Sequence, residues 1–388
     1  MAKSRIKVLL RAQYPVIASE LHSRLTLDDK FTVYTKRMII RDLEFYLVAG
    51  PANTGEKRPH SLIVRLVSHA GVEGWGEATD TVLRQEDLLP LRNRLLPVLM
   101  GRSVYDLEEL VRLHLYPAGP IRFAIETACW DIIGRLGRQP ICHFFGGKYR
   151  TLVPMTVGLS GRTHEERLRT SQELANRGYH WQALTLTGRL TEDLLLVESL
   201  LDSPGPRRIE LCVDASGLYT RENCEQLLTG LANTGVSLLI DPFCDATSHE
   251  LSLLQKSTAI PFGVCRGMDS ARDVLDLAAY DNLSRLILEP QRIGSLLELR
   301  KCADIAEAAG LQCSIRSRFS MGPIIAAMSQ VAAAMPALSH GIFCFSEHLE
   351  TSLLQDAFDT SDGLLHLLHG PGIGSEIDRS KLERTLIA

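Results

Sequence analysis

The sequence predicts an α/β protein, a closed barrel of eight parallel βα units preceded by a smaller α+β domain. Three observations carry this. Short apolar or β-branched runs recur eight times, at residues 154–159, 182–187, 209–214, 236–241, 260–265, 284–289, 312–316 and 341–345. Most are followed by helical apolar spacing, as at residues 298–309 and 324–334, and repeats of about 25 to 30 residues fit a barrel better than an open sheet. The region before them has another rhythm, strands first and helices after, which marks a separate α+β unit.

In chain order, residues 1–36 show weak periodicity and form an N-terminal extension. Residues 42–48 alternate as a strand, residues 51–60 make a polar loop, and residues 61–68 alternate again before a turn at Gly71 and a short run over 74–78. This pattern is an antiparallel meander. Residues 88–100, 107–115 and 121–136 then carry apolar side chains at helical spacing. The α+β domain spans residues 37–150 and the barrel residues 151–355.

Composition narrows the function. The chain has 388 residues, enough for a large core, with 42 Lys and Arg against 46 Asp and Glu and a net charge of −4. That balance gives no electrostatic basis for nucleic acid or a membrane surface as partner. No apolar run approaches the roughly 18 residues of a membrane span, and the basic N-terminus lacks an adequate secretory core, so a cytoplasmic address is expected. Nine dispersed cysteines without a C-x-x-C pair read as buried thiols. No H-x-x-x-H or G-x-S-x-G pattern occurs.

In a barrel of this kind the C-terminal strand ends build the active site. Here they carry Asp214, Asp241, Cys265 with Arg266, Glu289, and Arg316 with Arg318. Three acids and several arginines in one mouth must pair, because an uncompensated buried charge is costly. Either the Arg266 guanidinium lies between Asp214 and Asp241, or it faces solvent and the aspartates cap nearby loops. Arg316 and Arg318 share a face of one strand, and they either clamp an anionic ligand or pair with Glu289 and other acids. Ser160-Gly161-Arg162, after the first barrel strand, either touches an anion or is a plain loop.

These positions fall in a text that resembles the mandelate racemase and muconate lactonizing branch of the enolase superfamily. The stretch 71–78 (GVEGWGEA) resembles the family's G-x-x-G-x-G-E-A turn. Residues 124–134 (AIETACWDIIG) resemble its A-I-E-x-A-x-W-D-x-x-G stretch, and 370–374 (GPGIG) its closing segment. The resemblance implies a modified TIM barrel, (β/α)7β, with an α+β capping domain completed by about residues 356–388. It also implies isomerase or cycloisomerase chemistry on a small carboxylate, by removal of an α-proton with Mg²⁺ stabilising the enolate, and a homo-oligomer.

Transferred residue by residue, the family's reactive set is incomplete. Asp214 and Asp241 match the first two metal ligands, but Cys265 stands at the third, and a thiol is a poor ligand for a hard cation. The lysine pair of the second barrel strand is missing, Glu289 stands where a lysine is common, and Ser320 where an acid is common. The expectation is therefore a divergent homologue without a bound metal, with Asp214, Asp241 and Glu289 as candidate acid–base groups and Arg266, Arg316 and Arg318 as candidate ligand-binding groups. The alternative is a non-catalytic binder of a small anion, or an oligomeric scaffold.

Overall fold

A computed structural model describes residues 38–50, 59–79, 81–113, 116, 119–203, 208–280, 283–317 and 319–387. The expected extension over residues 1–36 and the side chain of Arg318 lie outside the described residues.

The meander forms as the alternation requires. Strands β1 (Ile40–Ala49), β2 (His60–Ser68) and β3 (Glu73–Ala78) pair antiparallel in that order. One face of this sheet covers helices α1 (Gln85–Leu99), α2 (Leu107–Val111) and α3 (Gly119–Gly137), with Leu43, Leu62, Leu95 and Ala128 among the buried side chains of this core. Gly74 and Gly76 let β3 lie directly on α3. A Cβ on either would meet the backbone oxygen of Ala128 or Ala124 at 2.0 Å or 1.9 Å, so no other residue fits.

Eight parallel strands follow: β4 (Leu152–Gly158), β5 (Trp181–Thr185), β6 (Glu210–Asp214), β7 (Leu238–Ile240), β8 (Phe262–Val264), β9 (Arg285–Leu288), β10 (Gln312–Arg316) and β11 (Ile342–Cys344). Each pairs with the next, and β11 returns to β4 through Ile342 opposite Met155 and Cys344 opposite Val157, which closes the barrel. The intervening helices are α4 (His164–Asn176), α5 (Leu190–Leu201), α6 (Arg221–Leu231), α7 (Ser248–Gln255), α8 (Ala271–Leu277), α9 (Pro290–Ile293), α10 (Leu296–Ala308) and α11 (Pro323–Ala334). Five of them begin on a Ser or Thr whose side chain accepts a backbone N–H of the first turn: Thr163, Thr220, Thr247, Ser270 and Ser295. After β11 come α12 (Ser346–Glu350), the hairpin of β12 (Thr360–Ser361) and β13 (Leu364–His366), and α13 (Arg379–Thr385).

Alternation along the strands sorts the barrel. Ala183, Cys212, Leu238, Ile240, Cys265, Ile287 and Phe343 make one buried cluster, while their neighbours Leu184, Val213, Leu239, Val264, Leu288 and Ile315 join the larger core beneath the helices. The first set is the barrel interior, and it is a packed apolar floor. Eight of the nine cysteines are buried and all are free, as expected of core thiols; Cys244 is exposed.

Three fully buried carboxylates, all in the motifs quoted above, fasten the capping domain, two of them to the barrel and one to the closing segment. Glu77 on β3 accepts from Ser61 Oγ (2.6 Å), from Ser320 Oγ (3.0 Å), and from the backbone N–H groups of Met321 (2.5 Å) and Ile324 (3.2 Å) at the start of α11. Glu126 on α3 accepts from the N–H groups of Leu296 (2.8 Å) and Leu297 (3.1 Å), the first turn of α10. A carboxylate at a helix N-terminus satisfies orphan donors and complements the helix dipole. Asp131, also on α3, accepts from Trp75 N (2.9 Å) and Ile373 N (2.9 Å) and lies 3.0 Å from Arg135 Nε. It therefore joins β3, α3 and the closing segment at one point.

Burial pushes the Asp131 carboxyl up to about 6 from its ordinary 3.8, against the pull of Arg135 and the two N–H donors. A raised native value means that folding takes up a proton, so this contribution is full below 3.8 and is lost as the pH rises through about 6. Urea unfolding of the wild type and Asp131→Asn at about pH 4 and about pH 6.5 should show their stability difference moving in the variant's favour at the higher pH. A difference that stays constant would mean that Asp131 titrates as an ordinary aspartate.

Candidate functional site

The strand ends converge as the sequence indicated, but the arginine at their centre is Arg316. It closes β10 on the inward face, 5% exposed. Its Nη1 donates to Asp214 Oδ2 at 2.5 Å, its Nε to Glu289 Oε1 at 2.9 Å, and its Nη2 to Cys265 Sγ at 3.0 Å, with Nη2 also 2.8 Å from Glu289 Oε1. The guanidinium carbon stands 5.8 Å from the centre of the Phe343 ring. Ends of β6, β8, β9 and β10 thus meet on one side chain. Burial opposes the charge of Arg316, yet the carboxylates outweigh it and hold the guanidinium protonated well beyond its ordinary range. Burial pushes the Cys265 thiol well above its usual value in spite of Arg316, which keeps it a neutral S–H.

Arg266 does not lie between Asp214 and Asp241. It follows Cys265, which points inward, so alternation turns Arg266 outward. Its side chain donates Nη1–H to the Ser216 carbonyl at 3.0 Å and packs against Gly217. Arg316 makes the ion pairs instead, and of the two alternatives posed for it the pairing with Glu289 is the one present.

Asp241 occupies a different place from Asp214. With φ at +46° it adopts a left-handed conformation, uncommon outside glycine, just as the chain leaves β7. Its carboxylate accepts from Cys265 N (2.9 Å) and Arg266 N (3.2 Å), capping the end of β8. Burial raises its pKa above the usual aspartate value, against those two N–H groups. Asp214 spends its second oxygen on Ser216 N (2.8 Å) and Ser216 Oγ (3.1 Å). Glu289 reaches a second arginine, Arg292, at 3.5 Å, which in turn pairs with Asp269 at 2.8 Å.

Beside this cluster lies a pocket of about 400 Å³ whose wall includes Asp241, Arg266 and Arg292, with Phe243, Leu251 and Val264 as apolar lining. Asp245 lines it too, so two guanidiniums and two carboxyls share a partly apolar cleft, and the guanidinium forks suit a small carboxylate with an organic body. Arg292 is not among the candidate residues named from the sequence above. Its spacing three residues after Glu289, within the helical turn of α9, is the signal that places it here.

Positions that carry bases or acids in the resembling family do other work in this chain. Ser320 is fully buried and donates to Glu77. Thr187 donates both its N–H and its hydroxyl to Asp193. A Mg²⁺ ion does not fit the residues present. The Arg316 guanidinium stands among the carboxylates, the third donor is a neutral thiol, and among the described residues no group of three or more His, Cys, Asp or Glu is placed to hold a metal.

Removing one partner from a buried ion cluster typically costs about 3–5 kcal/mol, because the others lose their compensation. Arg316→Met should destabilise the protein on that scale in urea unfolding at neutral pH, and adding Asp214→Asn with Glu289→Gln should recover most of the loss. A cost for Arg316→Met below about 1 kcal/mol would show that the carboxylates find other compensation.

Comparison with known proteins agrees with the fold. The family described as mandelate racemase / muconate lactonizing enzyme, N-terminal domain, matches residues 51–146, and the enolase C-terminal domain-like family matches residues 166–381. N-succinyl-L-Arg/Lys racemase of Bacillus cereus is 23% identical over 346 residues, covering 84% of this chain and 90% of its own. Muconate cycloisomerase 1 of Rhodococcus opacus is 24% identical over 337 residues, covering 82% and 88%. The crystal structure of 2-chloromuconate cycloisomerase from Rhodococcus opacus 1CP superposes with a TM-score of 0.79 at 22% identity, over 90% of this chain and 99% of that one. With a capping meander, a closed eight-stranded barrel and both family domains matched, the chain belongs to the mandelate racemase and muconate cycloisomerase branch of the enolase superfamily.

Proposed function

We propose that this protein is an isomerase-type member of its family that acts on a small carboxylate without a metal ion. The observation that carries the reading is the cleft beside the barrel mouth, where the Arg266 and Arg292 guanidiniums share a wall with the Asp241 carboxyl. Fixed guanidiniums stabilise negative charge developing on a bound carboxylate at little reorganisation cost, the service a metal gives elsewhere. The named relatives are racemases and cycloisomerases, which supports the reaction class.

In this reading the substrate carboxylate meets Arg266 and Arg292 in the neighbouring pocket, and its organic body lies toward Phe243 and Val264. Asp241 is the group that takes the α-proton and returns it. It lines the same pocket, and its raised pKa brings it closer to the value a carboxylate needs to exchange protons near neutrality. Asp214 and Glu289 hold Arg316 in place and are positioning residues.

One observation favours a second reading, a carboxylate-binding protein without turnover. The ends of β5 and β9 present Thr185 and Glu289 and no lysine, so Asp241 has no opposing base across the mouth.

Chelator-treated protein should bind neither Mg²⁺ nor Mn²⁺ by calorimetry at millimolar concentrations. Exchange of the α-proton for deuterium, followed by NMR on a panel that includes N-succinyl-arginine and simple 2-substituted acids, should persist in EDTA and fall about 100-fold or more in Asp241→Asn. Exchange that requires added metal would overturn the proposal. Saturable carboxylate binding with no exchange on any substrate would establish the second reading.

A further inference from the structure

A second cavity, of about 340 Å³, opens where the loops after β4 and β5 meet, and it shares no lining residue with the pocket beside Asp241. Arg162, Arg167 and Arg189 line it. Two of these cations make no close ion pair among the described residues. Arg167 is part-buried and spends its donors on backbone oxygens, Nε on Gly161 O at 3.0 Å and Nη1 on Thr185 O at 3.4 Å. Burial pulls its pKa below the ordinary arginine value, Asp193 works against that, and the nearby charge of Arg189 adds to the depression. The Arg162 side chain makes no ion pair or hydrogen bond among the described residues; only its backbone N–H is engaged, by Glu166.

The acids in the cavity wall offset these cations only in part. Asp193 is buried and committed to the Thr187 N–H and hydroxyl and to the Tyr219 hydroxyl at 2.6 Å. Glu192 pairs with Arg189 at 3.2 Å, both largely exposed, and such surface pairs are weak. Arg189 also starts α5; no side chain caps that helix, and Glu192 and Asp193 in its first turn offset part of the positive potential there. Three guanidiniums against two carboxylates in one concave wall leave an excess of positive charge that an anion would balance.

We infer that this cavity is a second binding site, for a small phosphate monoester. A dianionic phosphate offers three oxygens to several guanidinium forks at once, more than a monocarboxylate can. The cavity is larger than a phosphate group alone fills, and Leu195 and Leu196 on its far wall suit the carbon body of an ester. The site gives a role to Arg162 of the Ser160-Gly161-Arg162 loop; Ser160 itself turns away and donates to Glu347 at 2.6 Å. This inference is independent of the carboxylate reading of the barrel mouth.

Glycerol 3-phosphate titrated into the full-length protein by calorimetry, in low salt, is the test. Saturable binding is expected, weakened about tenfold or more in each of Arg162→Gln and Arg167→Gln, with circular dichroism confirming that the variants fold. Arg292→Gln should leave this binding unchanged while weakening carboxylate binding at the other pocket, which separates the two proposals. Absence of saturable heat at millimolar ligand would overturn the site, as would binding indifferent to the arginine substitutions. Equal affinity for inorganic phosphate or for succinate would overturn the assignment to a phosphate ester.

Discussion

The mouth of this barrel depends on one guanidinium. Asp214, Glu289 and the Cys265 thiol converge because four strands end at the same level, and a parallel barrel offers no way to keep them apart. Two carboxylates so placed, 4% and 6% exposed, would repel each other and lose hydration without return. Arg316 resolves this because its planar fork reaches both acids and the sulfur in one plane-bound geometry that a lysine, with a single point of charge, does not reproduce. The apolar floor of Ala183, Ile240, Ile287 and Phe343 lies beneath, and the low polarity there strengthens the pairing.

A second set of buried acids has a different partner and a different task. Glu77, Glu126 and Asp131 take backbone N–H groups as their chief donors, at helix starts and in the closing segment. A backbone donor is present whatever the side chain, so these contacts survive change in the residues around them. The strand-end acids depend on a particular side chain across the barrel. This separates what holds the cap on the barrel from what fills the mouth, and it is the physical reason why the motif text can persist while the reactive set differs.

Much of the fold was legible in the sequence. The eight apolar runs became eight strands because each is short, β-branched or apolar, and followed by a helix, five of the barrel helices being Ser- or Thr-capped, so local propensity and tertiary demand agree. Cys265, Asp214 and Glu289 could be placed at strand ends from the same reading. The choice of Arg316 over Arg266 was not made, although the signal existed: Gly263 and Cys265 face inward on β8, so the next residue faces out, while Ser314 and Arg316 face inward on β10. The carboxylates that fasten the cap stand in the sequence only as motif letters, because the helix-start and closing-segment N–H groups they bind are 170 to 247 residues away and no local pattern reveals them.

Charge accounting at the barrel rim connects the two cavities. At the mouth, Arg316 is balanced by two acids, and the neighbouring pocket holds Asp241 and Asp245 against Arg266 and Arg292. At the loops after β4 and β5, Arg162, Arg167 and Arg189 face Glu192 and Asp193, an excess of one guanidinium. A net charge of −4 for the whole chain makes this local excess a matter of placement and not of composition. Fields of that kind act over about 8 to 10 Å at physiological salt, so in the proposed reading each cavity answers to its own anion. Two sites selecting anions by different donor sets, a carboxylate by two guanidinium forks and a phosphate ester by three, would let a ligand at one leave the chemistry of the other unblocked.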